Sequence, residues 1–244
     1  MVETTGRVAV ITGASRGLGA GMARFFLSQG MRVAVCARTR PAFDDDHCSF
    51  ARALDVTDHA SVTSFCTETV ERFGRIDLWI NNAGLLAPIG PLRTNDPADF
   101  ARHIAVNVVG TFNGSQAFIQ HLHERGGEGI LINISSGAAR NAYAGWSAYC
   151  AGKAAVDRMS ESIALEESEH GLRVHAVAPG VIDTDMQQMI RECEPSQFPQ
   201  VQKFLDLKKK DNFSTPSFVA DGLLRLCFDP AYRSADVLVS LPRP

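Results

Sequence analysis

The chain of 244 residues has the length of one large α/β domain or two small ones, and can bury a core without disulfides or metals. Its 24 basic and 27 acidic residues give a net charge of −3, which disfavours a general nucleic-acid binder. It has no apolar run long enough to span a membrane, and residues 1–5 lack the basic and apolar leader of a signal peptide. The six cysteines are scattered without a C-x-x-C pair, so we expect no zinc site, no disulfide framework and a cytoplasmic location.

Short apolar runs alternate with longer helical stretches along the chain. The predicted strands are residues 8–12, 32–37, 53–56, 77–81, 129–134, 173–178 and 236–241. The predicted helices are residues 18–29, 61–73, 97–124, 146–169 and 216–226. Residues 185–213 interrupt this alternation and form either a lid over a pocket or a plain surface excursion. Strands that alternate with helices predict one α/β domain, residues 1–244, with a parallel sheet covered on both faces.

A glycine-rich turn follows the first predicted strand. Gly13, Gly17 and Gly19 are spaced as G-x-x-x-G-x-G and precede a predicted helix. Glycine permits a tight turn and a close approach of the backbone to phosphate, and a helix N-terminus offers free N–H groups to a pyrophosphate. The turn therefore indicates a dinucleotide site, although a purely structural glycine turn is the alternative.

The residues after the second predicted strand bear on the choice of cofactor. An acidic side chain about twenty positions beyond the glycines would bind the adenosine 2′-hydroxyl, but this position holds Arg38. Arg38 and Arg16 could bracket a 2′-phosphate, which a carboxylate would repel. The pattern favours NADP(H) over NAD(H), and two solvated surface arginines are the alternative.

Ser136, Tyr149 and Lys153 form a candidate catalytic group. Tyr149 and Lys153 share a face of their predicted helix at positions i and i+4. An adjacent ammonium favours phenolate, so we expect the pKa of Tyr149 to lie below the usual value of about 10. A tyrosine tuned in this way can give a proton to a carbonyl oxygen or remove one from an alcohol, and Ser136 can hydrogen-bond the same oxygen.

Together with further motifs, these residues give the chain its resemblance to the short-chain dehydrogenase/reductase family. The matching pieces, in order, are TGASRGLG at 12–19, DV at 55–56, NNAG at 81–84, Asn107, Ser136, Tyr149-x-x-x-Lys153, Pro179-Gly180 and Thr184. The resemblance covers nearly the whole chain. It implies a Rossmann-type doubly wound parallel sheet of about seven strands, a cofactor half of about 1–130 and a catalytic and substrate half of about 131–244.

The resemblance also implies a role for each matching residue. Tyr149 would be the general acid/base and Ser136 would orient the carbonyl. Lys153 would tune Tyr149 and hold the nicotinamide ribose, and Asn107 would support Lys153 through a water. The implied contacts to NADP(H) are Gly13, Ala14, Ser15, Arg16, Gly17, Leu18, Gly19, Arg38, Thr39, Asp55, Val56, Asn82, Ala83, Gly84, Tyr149, Lys153, Pro179, Gly180, Ile182 and Thr184.

Residues 145–155 and 178–188 are similar to the sepiapterin reductase branch of NADPH-dependent carbonyl reductases, which includes bacterial reductases of diketones such as benzil. Most family members have serine where this chain has Gly152. Val239 stands near the position of the carboxylate with which sepiapterin reductases anchor a pterin, so a broader aromatic or α-dicarbonyl substrate is expected. The predicted substrate contacts are Ser136, Leu86, Trp146, Tyr149, Val181, Met186 and Met189.

The expected activity is therefore NADPH-dependent reduction of a small-molecule ketone, α-dicarbonyl or pterin side-chain carbonyl. An alcohol dehydrogenase or a 3-oxoacyl reductase is the alternative on the same machinery, and a non-catalytic NADP(H) sensor is the alternative from another class. The family implies a homodimer, with a tetramer possible, and no partner membrane, nucleic acid or metal is expected. His103, His121 and His123 are interpreted as surface or interface groups rather than ligands.

Overall fold

The structure is a computed structural model that describes residues 3–210 and 213–242. These residues form seven strands and eight α-helices. The strands are β1 Val8–Thr12, β2 Arg32–Ala37, β3 Ser49–Ala53, β4 Leu78–Asn81, β5 Gly129–Ile134, β6 Leu172–Ala178 and β7 Leu238–Ser240. The helices are α1 Gly17–Ser28, α2 His59–Phe73, α3 Pro97–Ile104, α4 Gly110–Arg125, α5 Ser147–Glu166, α6 Asp185–Arg191, α7 Val201–Lys209 and α8 Pro216–Phe228.

All seven strands join one parallel sheet in the order β3-β2-β1-β4-β5-β6-β7. Strands β1, β4 and β5 are buried along their whole length, because helices cover both faces. On one face, Phe26 of α1 and Leu223 of α8 pack in one apolar core. On the other, Phe65 of α2 and Phe118 of α4 pack in a second core. The predicted single α/β domain with a sheet of about seven strands is confirmed.

Several element boundaries differ from the predictions. The third strand is Ser49–Ala53 rather than 53–56, because the Asp55 side chain accepts hydrogen bonds from the backbone N–H and the hydroxyl of Thr57 and turns the chain there. The long helix predicted over 97–124 is interrupted by a π-helical turn, Ala105–Val109, between α3 and α4. Among the described residues, no helix is long and apolar enough to cross a membrane.

The carboxyl ends of the parallel strands lie at one edge of the sheet, and the candidate site is built there. The turn after β1 and the residues after β4 and β5 meet at this edge. Residues 185–213, which sequence could read as a lid or as a surface excursion, contain α6 and α7. Phe198 and Phe204 of this segment pack on Trp146, so the segment covers the start of α5.

Candidate active site

Ser136, Tyr149 and Lys153 are brought together where β5 ends and α5 begins. Tyr149 and Lys153 are 8% and 7% exposed, and both lie on the buried face of α5 as their spacing predicts. Ser136 comes two residues after β5 and hydrogen-bonds the Tyr149 hydroxyl. The Lys153 ammonium donates a 2.6 Å hydrogen bond to the carbonyl oxygen of Ile134. A serine, a tyrosine and a lysine therefore lie together at the point where β5 ends and α5 begins.

The pKa values of this group follow from burial more than from mutual charge. Burial raises the pKa of Tyr149, and the hydrogen bond from Ser136 offsets only part of that rise. The prediction that Lys153 lowers the pKa of Tyr149 is wrong for this arrangement. The ammonium donates to the Ile134 carbonyl and lies 5.9 Å from the centre of the tyrosine ring. Burial also lowers the pKa of Lys153 to about 8, against the opposing effect of Asp157. At neutral pH the phenol is protonated and the lysine is charged.

Ser135 lies next to Ser136 in sequence but serves the fold. Its hydroxyl donates a hydrogen bond to the carboxylate of Asp157, one turn beyond Lys153 on α5. Burial raises the pKa of Asp157, while Ser135 and the Arg140 charge lower it. The pair ties the end of β5 to α5 and helps fix the helix that carries the tyrosine and the lysine.

Asn107 lies in the π-helical turn and holds the chain that follows β4. Its side-chain oxygen accepts a 2.8 Å hydrogen bond from the Leu85 N–H, and its side-chain nitrogen donates one of 2.8 Å to the Leu85 carbonyl. A Cβ at Gly84 would lie 2.8 Å from that side-chain oxygen, so only glycine lets the two segments approach. The implied support of Lys153 through a water stays a prediction.

His103 is a residue of the site that the sequence motifs do not include. It is completely buried, and His121 is 9% exposed, so the interpretation of both as surface or interface groups is wrong. His121 accepts a 3.3 Å hydrogen bond from the Ile76 N–H, which is a structural role. His103 instead contacts the side chain of Asn107 and lies edge-on to the Tyr149 ring. The four-residue spacing of His103 and Asn107 on one helix was the available signal.

The glycine turn fits the pyrophosphate of a dinucleotide. A Cβ at Gly13 would lie 2.6 Å from the Cα of Ala83, and one at Gly19 would lie 2.5 Å from the Gly13 oxygen. Asn82 donates hydrogen bonds to the carbonyls of Thr12 and Gly13 and braces the turn. Helix α1 then begins without a side-chain cap, which leaves its first N–H groups available to an anion.

The residues predicted at the adenosine end lie near the carboxyl edge of β1, β2 and β3. Val56 is buried, and the Asp55 carboxylate is held by Thr57. Arg38 and Thr39 are exposed after β2. Arg16 is also exposed, but its guanidinium pairs with Asp185 of α6 at 2.8 Å. The pairing of both arginines around a 2′-phosphate therefore stays a prediction.

The residues predicted at the nicotinamide end form the connection from β6 to α6. Gly180 adopts a φ of +84°, a conformation that L side chains rarely adopt. Ile182 is buried and forms an isolated bridge with Ser214. Thr184 directly precedes α6. This connection lies beside α1, because a Cβ at Gly17 would lie 3.3 Å from the Thr184 methyl.

An aromatic cluster lies around Tyr149. Trp146 stacks on Phe198 with ring centres 4.4 Å apart and meets the Tyr149 ring edge-on at 5.6 Å. Leu86 is buried in the same cluster, Met186 packs against it, and Val181 is half-buried. Met189 is 43% exposed, so it lies at the rim of this region rather than within it. The surroundings of the tyrosine are apolar and aromatic.

Comparison with known proteins assigns the chain to a family. The model of the short chain dehydrogenase family matches residues 7–195. A benzil reductase ((S)-benzoin forming) of Bacillus cereus is 31% identical over 95% of this chain and 98% of its own. A 2-(R)-hydroxypropyl-CoM dehydrogenase of Xanthobacter autotrophicus is 36% identical over 92% of each chain. Among solved structures, the KRED1-Pglu enzyme superposes with a TM-score of 0.81, at 31% identity, over 91% of this chain and 94% of its own. The chain belongs to the short-chain dehydrogenase/reductase family of oxidoreductases, whose members use nicotinamide cofactors.

Proposed function

We propose that this oxidoreductase uses NADPH to reduce an aromatic ketone or α-dicarbonyl, and that Tyr149 supplies the proton. The observation that carries the proposal is a buried, protonated tyrosine that is hydrogen-bonded to Ser136 and bordered by Trp146. The relatives named benzil reductases add support, because their names describe reduction of an aromatic diketone.

The chain's own residues handle the carbonyl oxygen and its proton. The chemistry that a nicotinamide cofactor supplies when bound is a hydride to the carbonyl carbon. Ser136 donates a hydrogen bond to the substrate oxygen and fixes its position beside Tyr149. The Tyr149 hydroxyl transfers its proton to that oxygen as negative charge develops on it. The positive charge of the buried Lys153 ammonium stabilises the negative charge that develops on the oxygen.

The protonated form of Tyr149 is the form that reduction of a carbonyl requires. A tyrosine that stays protonated at neutral pH is ready to give a proton to a ketone, whereas oxidation of an alcohol needs the phenolate. An alcohol dehydrogenase on the same machinery is the second candidate, and the Xanthobacter dehydrogenase favours it.

The preference for NADPH rests on Arg16 and Arg38. Arg16 is 77% exposed and its ion pair with Asp185 lies in solvent, where such a pair contributes at most about 1 kcal/mol. A 2′-phosphate can therefore replace Asp185 as the partner of the guanidinium at little cost. Residues 38–43, which follow β2, include no carboxylate that would instead bind a 2′-hydroxyl.

The apolar surroundings of Tyr149 support the proposed substrate class. Leu86, Trp146 and Tyr149 are buried, and Trp146 belongs to a stacked aromatic cluster. Such a lining suits an apolar aromatic compound. Val239 is only half-buried and carries no charge, so we do not expect a pterin to be anchored from β7.

The test is an initial-rate comparison of NADPH with NADH against benzil, a pterin, a quinone and a 3-oxoacyl compound. We expect turnover of benzil with a preference for NADPH of about tenfold or more, since the arginines bind a phosphate that NADH lacks. Preference for NADH would overturn the proposed cofactor. NADPH binding without turnover of any of these compounds would favour a cofactor sensor instead.

A second test concerns the proton donor. We expect Tyr149→Phe to lower kcat by at least about 100-fold while NADPH still binds, because the proton donor is lost and the ring remains. Tyr232→Phe, at a residue that is 57% exposed, is the matched control. Full activity of Tyr149→Phe would exclude the proposed mechanism.

The family also supports a homodimer in the cytoplasm as the working state. Light scattering after size exclusion should then give twice the chain mass of 26.4 kDa. A monomer or a tetramer at enzyme concentrations used for catalysis would contradict this part of the proposal.

A further inference from the structure

A buried histidine, His103, packs against two residues of the site, Asn107 and Tyr149. His103 lies in the last turn of α3, and its side chain has no exposed surface. Its Nδ1 lies 2.8 Å from the carbonyl oxygen of Ala87. The side-chain nitrogen of Asn107 lies over the ring, 2.6 Å from Nε2 and 3.3 Å from Nδ1. A carbonyl oxygen can only accept, so Nδ1 carries the hydrogen. Because that hydrogen points to Ala87, Nε2, which is also the nearer ring nitrogen, is the acceptor for Asn107.

This tautomer fixes which way the amide of Asn107 faces. The amide nitrogen has two hydrogens, and its two acceptors are the Leu85 carbonyl and the Nε2 of His103. The amide oxygen accepts from the Leu85 N–H. A flipped amide would bring its oxygen against a carbonyl and an unprotonated nitrogen, so the histidine opposes the flip. Burial lowers the pKa of His103, and the nearby Lys153 charge adds to this effect. The hydrogen bond to Ala87 raises the pKa but does not outweigh burial, so the ring is neutral.

Gly152 makes the position of the histidine possible. A Cβ at Gly152 would lie 2.9 Å from the Nε2 of His103, closer than real Cβ contacts come, and 3.6 Å from the Cβ of Asn107. The ring is held on its other side by Ala87, so it cannot simply swing away. Gly152 directly precedes Lys153 on α5, so the residue that makes room for His103 is next to the lysine of the site.

His103 and Asn107 affect the reacting groups through the backbone of residues 84–87, which both side chains contact. Asn107 holds the Leu85 backbone by two hydrogen bonds. Gly84, the residue before Leu85, lies close to both Asn107 and Lys153. A Cβ at Gly84 would be 2.8 Å from the Asn107 side-chain oxygen and 3.8 Å from the Lys153 ammonium. His103 itself holds Ala87. The segment 84–87 includes part of the proposed cofactor contact and the proposed substrate contact Leu86.

We propose that His103 is a positioning residue for the reaction: in the space left by Gly152, its neutral ring fixes the amide of Asn107 and, through it, the segment 84–87 beside Lys153. The inference rests on the proposed function. In the proposed reaction His103 touches neither substrate nor cofactor, and it acts through Asn107.

A matched pair of substitutions separates the two contacts of the ring. His103→Asn can keep a donor toward Ala87 but loses the acceptor toward Asn107, whereas His103→Gln can keep that acceptor and loses the donor. We expect kcat to fall about tenfold in His103→Asn and much less in His103→Gln, because misplacement of a positioned group costs rate. Thermal melting shows whether both variants fold. Equal kcat values in two folded variants would overturn the proposal.

A double-mutant cycle tests the link to Gly152. Gly152→Ser should lower kcat about tenfold by displacing the ring, while Ala154→Ser, at an exposed position of the same helix, should not. When Gly152→Ser is combined with His103→Ala, the introduced hydroxymethyl group has room, so the double variant should lose less than the product of the two single losses. Multiplicative losses in the cycle would overturn the coupling between the two residues.

A measurement without turnover keeps this inference separate from the proposed activity. A long-range ¹H–¹⁵N spectrum of the unmodified protein, assigned by the signal lost in His103→Gln, reports which ring nitrogen carries the hydrogen. We expect the Nδ1–H tautomer of a neutral ring at pH 7. The Nε2–H tautomer or a charged ring would overturn the inference even if the enzyme reduces carbonyl compounds. The expected tautomer in a protein that reduces none of them would leave the local arrangement intact and reject the proposed function alone.

Discussion

Lys153 has its ammonium in a buried position, where charge is costly and also useful. Burial lowers its pKa to about 8, so the charge is present at neutral pH and is lost as the pH rises through that value. Because the charged form stabilises the developing alkoxide, we expect kcat for reduction to fall above about pH 8. A pH profile of kcat between about pH 6 and pH 10 measures this, with Lys153→Met as a variant whose residual rate should not change around pH 8. A constant rate across pH 8 in the unmodified enzyme would contradict the assignment.

At the residue scale, sequence spacing was enough to bring Tyr149 and Lys153 together, because positions i and i+4 of any helix share a face. It could not predict the direction of the Tyr149 pKa shift. That direction depends on how completely other segments bury the ring, and Phe198, which helps to do so through Trp146, lies far away in the sequence. The same reason hid His103, whose partner Ala87 is sixteen residues away on the segment after β4.

At the element scale, the segment with α6 and α7 is held to the site by aromatic packing. Phe198 is fully buried and stacks on Trp146, so Phe198→Ala should leave a cavity and lower the free energy of unfolding by about 3–5 kcal/mol. Because Trp146 also contacts Tyr149, we expect Phe198→Ala to lower kcat/KM for benzil as well.

Urea denaturation and steady-state rates measure these two effects. Phe218→Ala, at a residue that is 36% exposed, is the control and should change stability by less than about 1 kcal/mol. Equal stability losses in both variants would mean that the aromatic stack does not hold the segment.

Among the elements, most strands were predictable, whereas strand β3 and the interruption of the long helix were not. The predicted strand 129–134 agrees with β5 to the residue, because glycine precedes a run of leucine and isoleucine that only Asn133 interrupts. Strand β3 was placed four residues too late, because the local hydrogen bonds of Asp55 turn a stretch that looks apolar. The π-helical turn of Asn107 has the periodicity of an ordinary helix in sequence, so it could not be predicted.

At the scale of the whole molecule, a buried polar network joins the two central strands to the helices above them. Asn133 of β5 is completely buried, accepts a 2.9 Å hydrogen bond from Asn81 of β4 and donates one of 2.9 Å to Ser160 of α5. Asn133→Ala would leave two buried groups without this partner, so we expect the free energy of unfolding to fall by about 2–4 kcal/mol. Asn141→Ala, on the surface, should cost less than about 1 kcal/mol by the same denaturation measurement. If Asn133→Ala lowered the free energy of unfolding as little as Asn141→Ala does, water or a neighbouring group would be replacing the missing amide.

The strand order also has a consequence for the chain as it is being synthesised. The first strand made, β1, ends in the middle of the sheet between β2 and β4, and its residue Ala9 pairs with Leu78. All the pairs are parallel, so each connection crosses over a face and no hairpin can form early. Until β4 leaves the ribosome, β1 has an open edge that any other extended segment can occupy. Nascent chains that stop before Leu78 should therefore aggregate, and the rate at which residues 38–78 are translated should affect the yield of folded enzyme.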